Sequence, residues 1–180
     1  MGKQFPGFEA PHLKLIEDSP LFFVGTAAAE GRVSISPKGG DSLRVLSPRR
    51  LLWRNITGSG NETAGHLRLI NRMTVMWCSF VAKPMVLRAY GRARTIGPGD
   101  ADWAEMNGHF PPHAGARQVF DMDVEMVQSS CGYNVPFMEF TGHRDKLDRW
   151  TEARVADGIA AYWDKTNRET IDAFPTGTGQ

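Results

Sequence analysis

A glycine-rich stretch, Thr57-Gly58-Ser59-Gly60-Asn61-Glu62-Thr63, runs into an amphipathic segment and is the first place where this chain could do chemistry. Glycines let backbone N–H groups approach a ligand closely. A helix start carries about half a positive charge, so phosphate is the natural guest. Asn61 and Thr63 would add side-chain donors in the first turn, and Ser59 with Glu62 has the spacing of a capping box, which places the helix start near Asn61. The same residues would equally serve a plain helix start, and the stretch matches neither the nucleotide P-loop nor the dinucleotide fingerprint. A second candidate is the polar face of Arg32–Lys38, where Ser34, Ser36 and Lys38 offer two hydroxyls and an ammonium. An ordinary solvated strand face has the same pattern. A third is Gln128-Ser129-Ser130-Cys131-Gly132-Tyr133-Asn134-Val135-Pro136, where an alternating strand gives way to small polar residues, as a backbone shaped around a ligand or a structural turn would require.

Other constellations carry less. His109 and His113 have the i, i+4 spacing of a zinc pair, yet they flank two prolines and have no evident third ligand, so no metal site is expected. Arg88, Arg92 and Arg94 form a basic row without an aromatic platform, which reads as a salt-bridged strand face rather than a nucleic-acid surface. There is no Gly-x-Ser-x-Gly elbow and no Cys–His signature for covalent catalysis.

Positioning these residues requires a sheet. Leu21–Ala27, Arg32–Ser36, Leu43–Leu46, Leu51–Ile56, Met73–Val81, Met85–Ile96 and Gln118–Gln128 have strand character, with Pro37-Lys38-Gly39-Gly40 breaking the second. In the last, Phe120, Met122, Val124 and Met126 are expected to face inward. Short helices are expected over residues 9–17 and from Asp100 to about Asn107. The helix after Gly60 would bury Ala64, Leu67 and Ile70 and leave His66 on its surface, and one long amphipathic helix would span Asp145–Asn167. Thr176–Gln180 reads as a disordered tail. About six strands, mostly sequence neighbours on short turns, predict an antiparallel sheet closed on itself to avoid open edges: a mainly β protein, a small barrel with peripheral helices.

Composition bounds the partners. The 180 residues are 41% hydrophobic and 23% charged, and 21 Lys plus Arg against 20 Asp plus Glu leave a net charge of +1. That balance argues against a polyanion binder. No apolar run approaches the roughly 20 residues of a membrane span, no secretory leader is evident, and two cysteines are too few for a disulfide framework. The expectation is a single cytoplasmic domain over 1–180, with the barrel at about 20–130, and neither nucleic acid nor membrane as partner.

Phe22-Phe23-Val24-Gly25-Thr26-Ala27, Gly31-Arg32-Val33-Ser34-Ile35-Ser36-Pro37-Lys38-Gly39, Gly58-Ser59-Gly60-Asn61-Glu62-Thr63-Ala64 and Ser130-Cys131-Gly132-Tyr133-Asn134-Val135-Pro136 follow one another at strand and helix-start positions. In that order they resemble the pyridoxamine 5′-phosphate oxidase-like family of FMN-binding split barrels, over about Leu21 to Pro136. The resemblance implies a Greek-key, six-stranded antiparallel barrel and a homodimer with FMN in the subunit interface. It implies Val33, Ser34, Ile35, Ser36 and Lys38 along the flavin, Trp53 and Asn55 at the end of the next strand, and Asn61, Glu62 and Thr63 at the phosphate. Gln128, Ser129 and Ser130 would approach the flavin of the partner subunit. Two departures accompany it. The archetypal oxidases have an Arg-Lys pair where this chain has Glu62-Thr63, which leaves Lys38, Thr63, backbone amides and Arg68 to balance the phosphate. Their C-terminal pyridoxal-phosphate segment is replaced here by the Arg144–Arg168 helix. The implied activity is therefore that of an FMN-dependent oxidoreductase acting on an unidentified small molecule, not a true pyridoxamine-phosphate oxidase. The alternatives are a flavin carrier or sensor of the same fold and, more remotely, a nucleic-acid-binding barrel.

Overall fold

Alternating side chains of opposite character suit a sheet that buries one face, and the chain spends them on one eight-stranded antiparallel sheet. The computed structural model describes residues 2–154 and 156–179. Its elements in order are β1 (Lys3–Phe5), α1 (Ala10–Asp18), β2 (Leu21–Thr26), β3 (Ser34–Gly39), β4 (Leu43–Ser47), β5 (Arg50–Ile56), α2 (Glu62–Leu69), β6 (Met73–Cys78), β7 (Val86–Ile96), α3 (Trp103–Gly108), β8 (Ala116–Ser130), α4 (Lys146–Glu152) and α5 (Ala156–Thr166).

Strand order is β3-β2-β6-β7-β8-β5-β4, and β1 pairs with β8 beyond the end of β5. The two ends of this path, β3 and β4, are joined by only Gly40, Asp41 and Ser42. A connection that short forces the sheet to curl until its ends meet. Gly40 makes the corner with φ +67, a conformation that disfavours side chains. No ladder links β3 to β4 among the described residues, so the result is a split barrel. Inside the curl lie Phe22, Val24, Trp53, Val75, Trp77 and Phe120, with the Trp53 and Phe120 rings stacked at 4.7 Å. A second apolar cluster (Leu52, Ile96, Met106, Phe110 and Val119) lies on another part of the sheet, where α3 supplies Met106.

The mainly β, antiparallel architecture is as the pattern predicted, with several corrections. There are eight strands rather than about six: all seven stretches with strand character form strands, and β1 adds to the edge of β8. Pro37, Lys38 and Gly39 continue β3 instead of breaking it. Pro37 is tolerated because β3 ends the path and pairs only with β2. In β8 the inward phase slips: Glu125 is the extra residue where Tyr90 pairs with Met126 and Gly91 with Val124, so Val127 is buried and Met126 only half-buried. His66 is buried, its Nδ1 3.1 Å from Thr26 Oγ1, because Phe174 folds over it. The expected long C-terminal helix is two shorter ones, α4 and α5.

The end of the chain differs most. Thr176 and Thr178 are buried, and Thr176 Oγ1 donates to Asn167 O at 2.5 Å. The stretch expected to be a disordered tail is packed as far as Thr178; Gly179 is exposed and Gln180 lies outside the described residues. No described helix is long and apolar enough to cross a membrane.

Candidate functional site

Three segments converge at one end of the sheet because register puts them there. On β3, Ser34, Ser36 and Lys38 alternate inward, while Val33, just before it, and Ile35 are 69% and 70% exposed. On β5, Trp53 and Asn55 come from the strand's end, and the Gly58–Gly60 loop then delivers the start of α2. Together they line a cavity of about 230 Å³ that holds Ser34, Ser36, Lys38, Trp53, Asn55, Asn61, Glu62 and Thr63, with Arg117 from the start of β8.

The electrostatics of this cavity favour an anion. Lys38 Nζ lies 5.1 Å from the centre of the Trp53 ring. Burial, with Arg117 nearby, brings its ammonium down to about 8. Arg117 is itself lowered to about 10 by burial, with Tyr162 opposing the shift. Among the described residues neither cation has a carboxylate partner, and Arg117 Nε is buried with no hydrogen bond. The Ser59–Thr63 backbone N–H groups have no protein acceptor among the described residues. Two uncompensated cations beside a run of free amides at a helix start form a phosphate-type site.

Side chains expected to bind there have other tasks. Asn61 Nδ2 donates to Thr178 Oγ1 at 2.8 Å and its Oδ1 accepts from Asn55 Nδ2 at 3.4 Å; Asn55 also donates to Gln118 Oε1 at 3.2 Å. The Ser59–Glu62 capping box does not form. Instead the Ile171 N–H donates to both Glu62 carboxylate oxygens at 3.2 Å, which draws that charge toward the C-terminal segment. Arg68 lies against Gly177 and lines no part of the cavity.

Beside this cavity, and sharing Ser34, Ser59, Gly60 and Glu62 with it, is a broader cleft of about 640 Å³ walled by Val33, Ile35 and Ile171. Its rim is tied by Asp172, which accepts the Arg32 N–H at 2.7 Å and pairs with the Arg32 guanidinium. Gln128, Ser129 and Ser130 are elsewhere. They pair with β1 and β7 at the far end of β8, ten residues from Gln118, or about 30 Å of extended strand. A third cleft, of about 460 Å³ between α1 and Met138–Phe140, is largely apolar, and its Lys14 is already paired with Asp18 at 2.6 Å.

Sequence comparison covers the segments that form this cavity. The pyridoxamine 5′-phosphate oxidase family model matches residues 8–131, which includes β2 through β8 and every cavity residue named above. The chain belongs to the pyridoxamine 5′-phosphate oxidase family. A family protein of Aspergillus flavus, ustO, is 34% identical over 174 aligned positions, covering 87% of this chain and 70% of the relative. Among solved structures, a candidate pyridoxamine 5′-phosphate oxidase from Lactobacillus delbrueckii superposes with a TM-score of 0.56 at 18% identity, over 68% of this chain and 94% of that one. A variant of HupZ from group A Streptococcus gives 0.52 at 19%, over 68% and 98%. At such identities the structures establish the shared fold. Arg117, Asn167 and Thr178 escaped the sequence reading. Arg117 and Gln118 are polar residues entering an apolar strand, a signal that does not separate a ligand site from a strand end.

Proposed function

We propose that this family member is an FMN-binding flavoprotein, a homodimeric oxidoreductase acting on a small molecule. The observation that carries the reading is the pairing of two cations without a carboxylate partner, the half-buried Lys38 and the buried Arg117, with the open N–H groups of Ser59–Thr63. A phosphomonoester dianion meets that demand. Lys38, the loop amides and Thr63 would hold the phosphate, with Arg117 adding charge. Ser34, Ser36 and Trp53 line the same cavity and would border the rest of the cofactor. Bound FMN would supply hydride and electron transfer, which side chains do not supply unaided. The chain's own work is to bind, orient and desolvate.

Two observations support a second copy. Ile35 on the edge strand β3 and Val33 just before it are aliphatic and exposed, at a position proteins normally protect. Gln128–Ser130 line no part of the Lys38 cavity of their own copy, and the family resemblance assigns them to the flavin of a symmetric partner. The test is spectroscopic. The purified protein loaded with FMN should retain flavin absorbance through gel filtration and bleach on addition of NAD(P)H. Retention without reduction by any donor would support a carrier, and no retention would refute the reading.

A further inference from the structure

The Gly58–Asn61 loop has no regular structure, and its path is set through its carbonyls. Asn167 Nδ2 donates to Gly58 O at 3.1 Å, and Arg117 Nη2 donates to Gly60 O at 3.0 Å. Asn167 is fully buried just beyond the end of α5, and its Oδ1 accepts Arg117 Nη1 at 2.5 Å. One side chain therefore fixes both the loop and the arginine that braces it. In a trans peptide the carbonyl and the next N–H point to opposite sides. Drawing the Gly58 and Gly60 carbonyls toward this filled side turns the Ser59 and Asn61 N–H groups toward the open one.

A second bond from the same segment acts on the next residue. Thr178 Oγ1 accepts both Asn61 Nδ2, at 2.8 Å, and Gln118 Nε2, at 3.2 Å. This holds the Asn61 side chain behind the helix start rather than across it. Trp163 of α5 adds a further tie, its Nε1 donating to Thr57 Oγ1 at 2.9 Å.

From these contacts we infer that Asn167 and Thr178 are positioning residues for the phosphate: the C-terminal segment orients the Ser59–Asn61 amides and so sets preference for a phosphorylated flavin over an unphosphorylated one. This rests on the FMN reading above and deepens it. Neither residue touches the ligand; each acts through the loop, and neither supports the flavin ring.

The experiment compares FMN, riboflavin and inorganic phosphate on the full chain, with ring binding followed by flavin fluorescence and phosphate binding by competition. Asn167→Ala should weaken FMN by about ten- to a hundredfold, the scale of a lost charge-assisted bond. Its riboflavin affinity should stay within about twofold of wild type, since that ligand carries no phosphate. Thr178→Val, nearly isosteric, should weaken FMN and phosphate by a smaller factor, again sparing riboflavin, and it keeps the test available if Asn167→Ala does not fold. Equal losses for FMN and riboflavin, or no loss in either variant, would overturn the positioning role while leaving FMN binding intact. A wild-type chain that binds neither FMN nor phosphate would instead refute the underlying reading.

Discussion

Lys38 Nζ stands 5.1 Å from the centre of the Trp53 ring, with no carboxylate to balance it among the described residues. Partly burying an ammonium beside a second cation costs stability in the empty protein. The arrangement makes sense as a site held ready for a dianion. Lys38→Met should therefore separate binding from folding. FMN affinity should fall about ten- to a hundredfold, while the ligand-free variant melts higher than wild type at pH 7. Calorimetry with and without FMN checks both halves.

The pH dependence follows from the same group. With a folded value of about 8, Lys38 is charged below that pH and neutral above it, so FMN should bind more weakly as pH rises through about 8. The phosphate itself loses its second charge below about pH 6, so affinity should be greatest between these limits. For the empty protein the sign is opposite. The folded value lies below the ordinary lysine value of 10.5, so the unfolded chain holds more protons between about 8 and 10.5, and Lys38 makes stability rise with pH across that window. Titrating wild type against Lys38→Met isolates both effects.

Arg117 is placed by two acceptors that a point charge cannot satisfy together. Arg117→Lys keeps the charge but gives up the forked contact to Asn167 and Gly60. It should lower stability by about 1–3 kcal/mol through the unmet buried Asn167 acceptor and weaken FMN as well. Denaturant melts and FMN titration of this variant report the two losses.

Gly91 tests the barrel rather than the site. A Cβ there would meet Asp123 O at 2.0 Å and Asp123 C at 3.0 Å, both backbone atoms that hold the β8 bulge. Gly91→Ala should cost about 1–3 kcal/mol of stability from overpacking, measured by denaturant midpoint, with flavin affinity per folded molecule unchanged.

Assembly can be weighed directly. Multi-angle light scattering should give twice the chain mass for wild type. Ile35→Asp places a charge on the exposed aliphatic edge and should shift the mass to one chain and weaken FMN together. A wild-type mass of one chain would contradict the dimer.

How far the sequence was legible depended on whether a residue's role was local. Phe120, Met122 and Val124 announce β8 by alternation because a sheet imposes period two on its own strand. Ser34, Ser36 and Lys38 were separable from Val33 and Ile35 for the same reason. The bulge at Glu125 was not, since it arises from how β7 and β8 match across the ladder. Nor was the tail. Thr176-Gly177-Thr178-Gly179 has the composition of a disordered end, yet small residues, with glycines at φ +78 and +76, are also what threads a narrow groove. The partners of Thr178 are Asn61 and Gln118, 117 and 60 residues away, and no local pattern encodes such contacts. His66 was misjudged on the same ground, because Phe174 covers it from far along the chain.

The most direct test of the account is a side-by-side titration of the wild-type chain with FMN and riboflavin at pH 7, read by quenching of flavin fluorescence. The cations and amides at the α2 start predict saturable quenching by FMN, with riboflavin at least about tenfold weaker for want of a phosphate. Equal affinity for the two, or no binding of either, would contradict it.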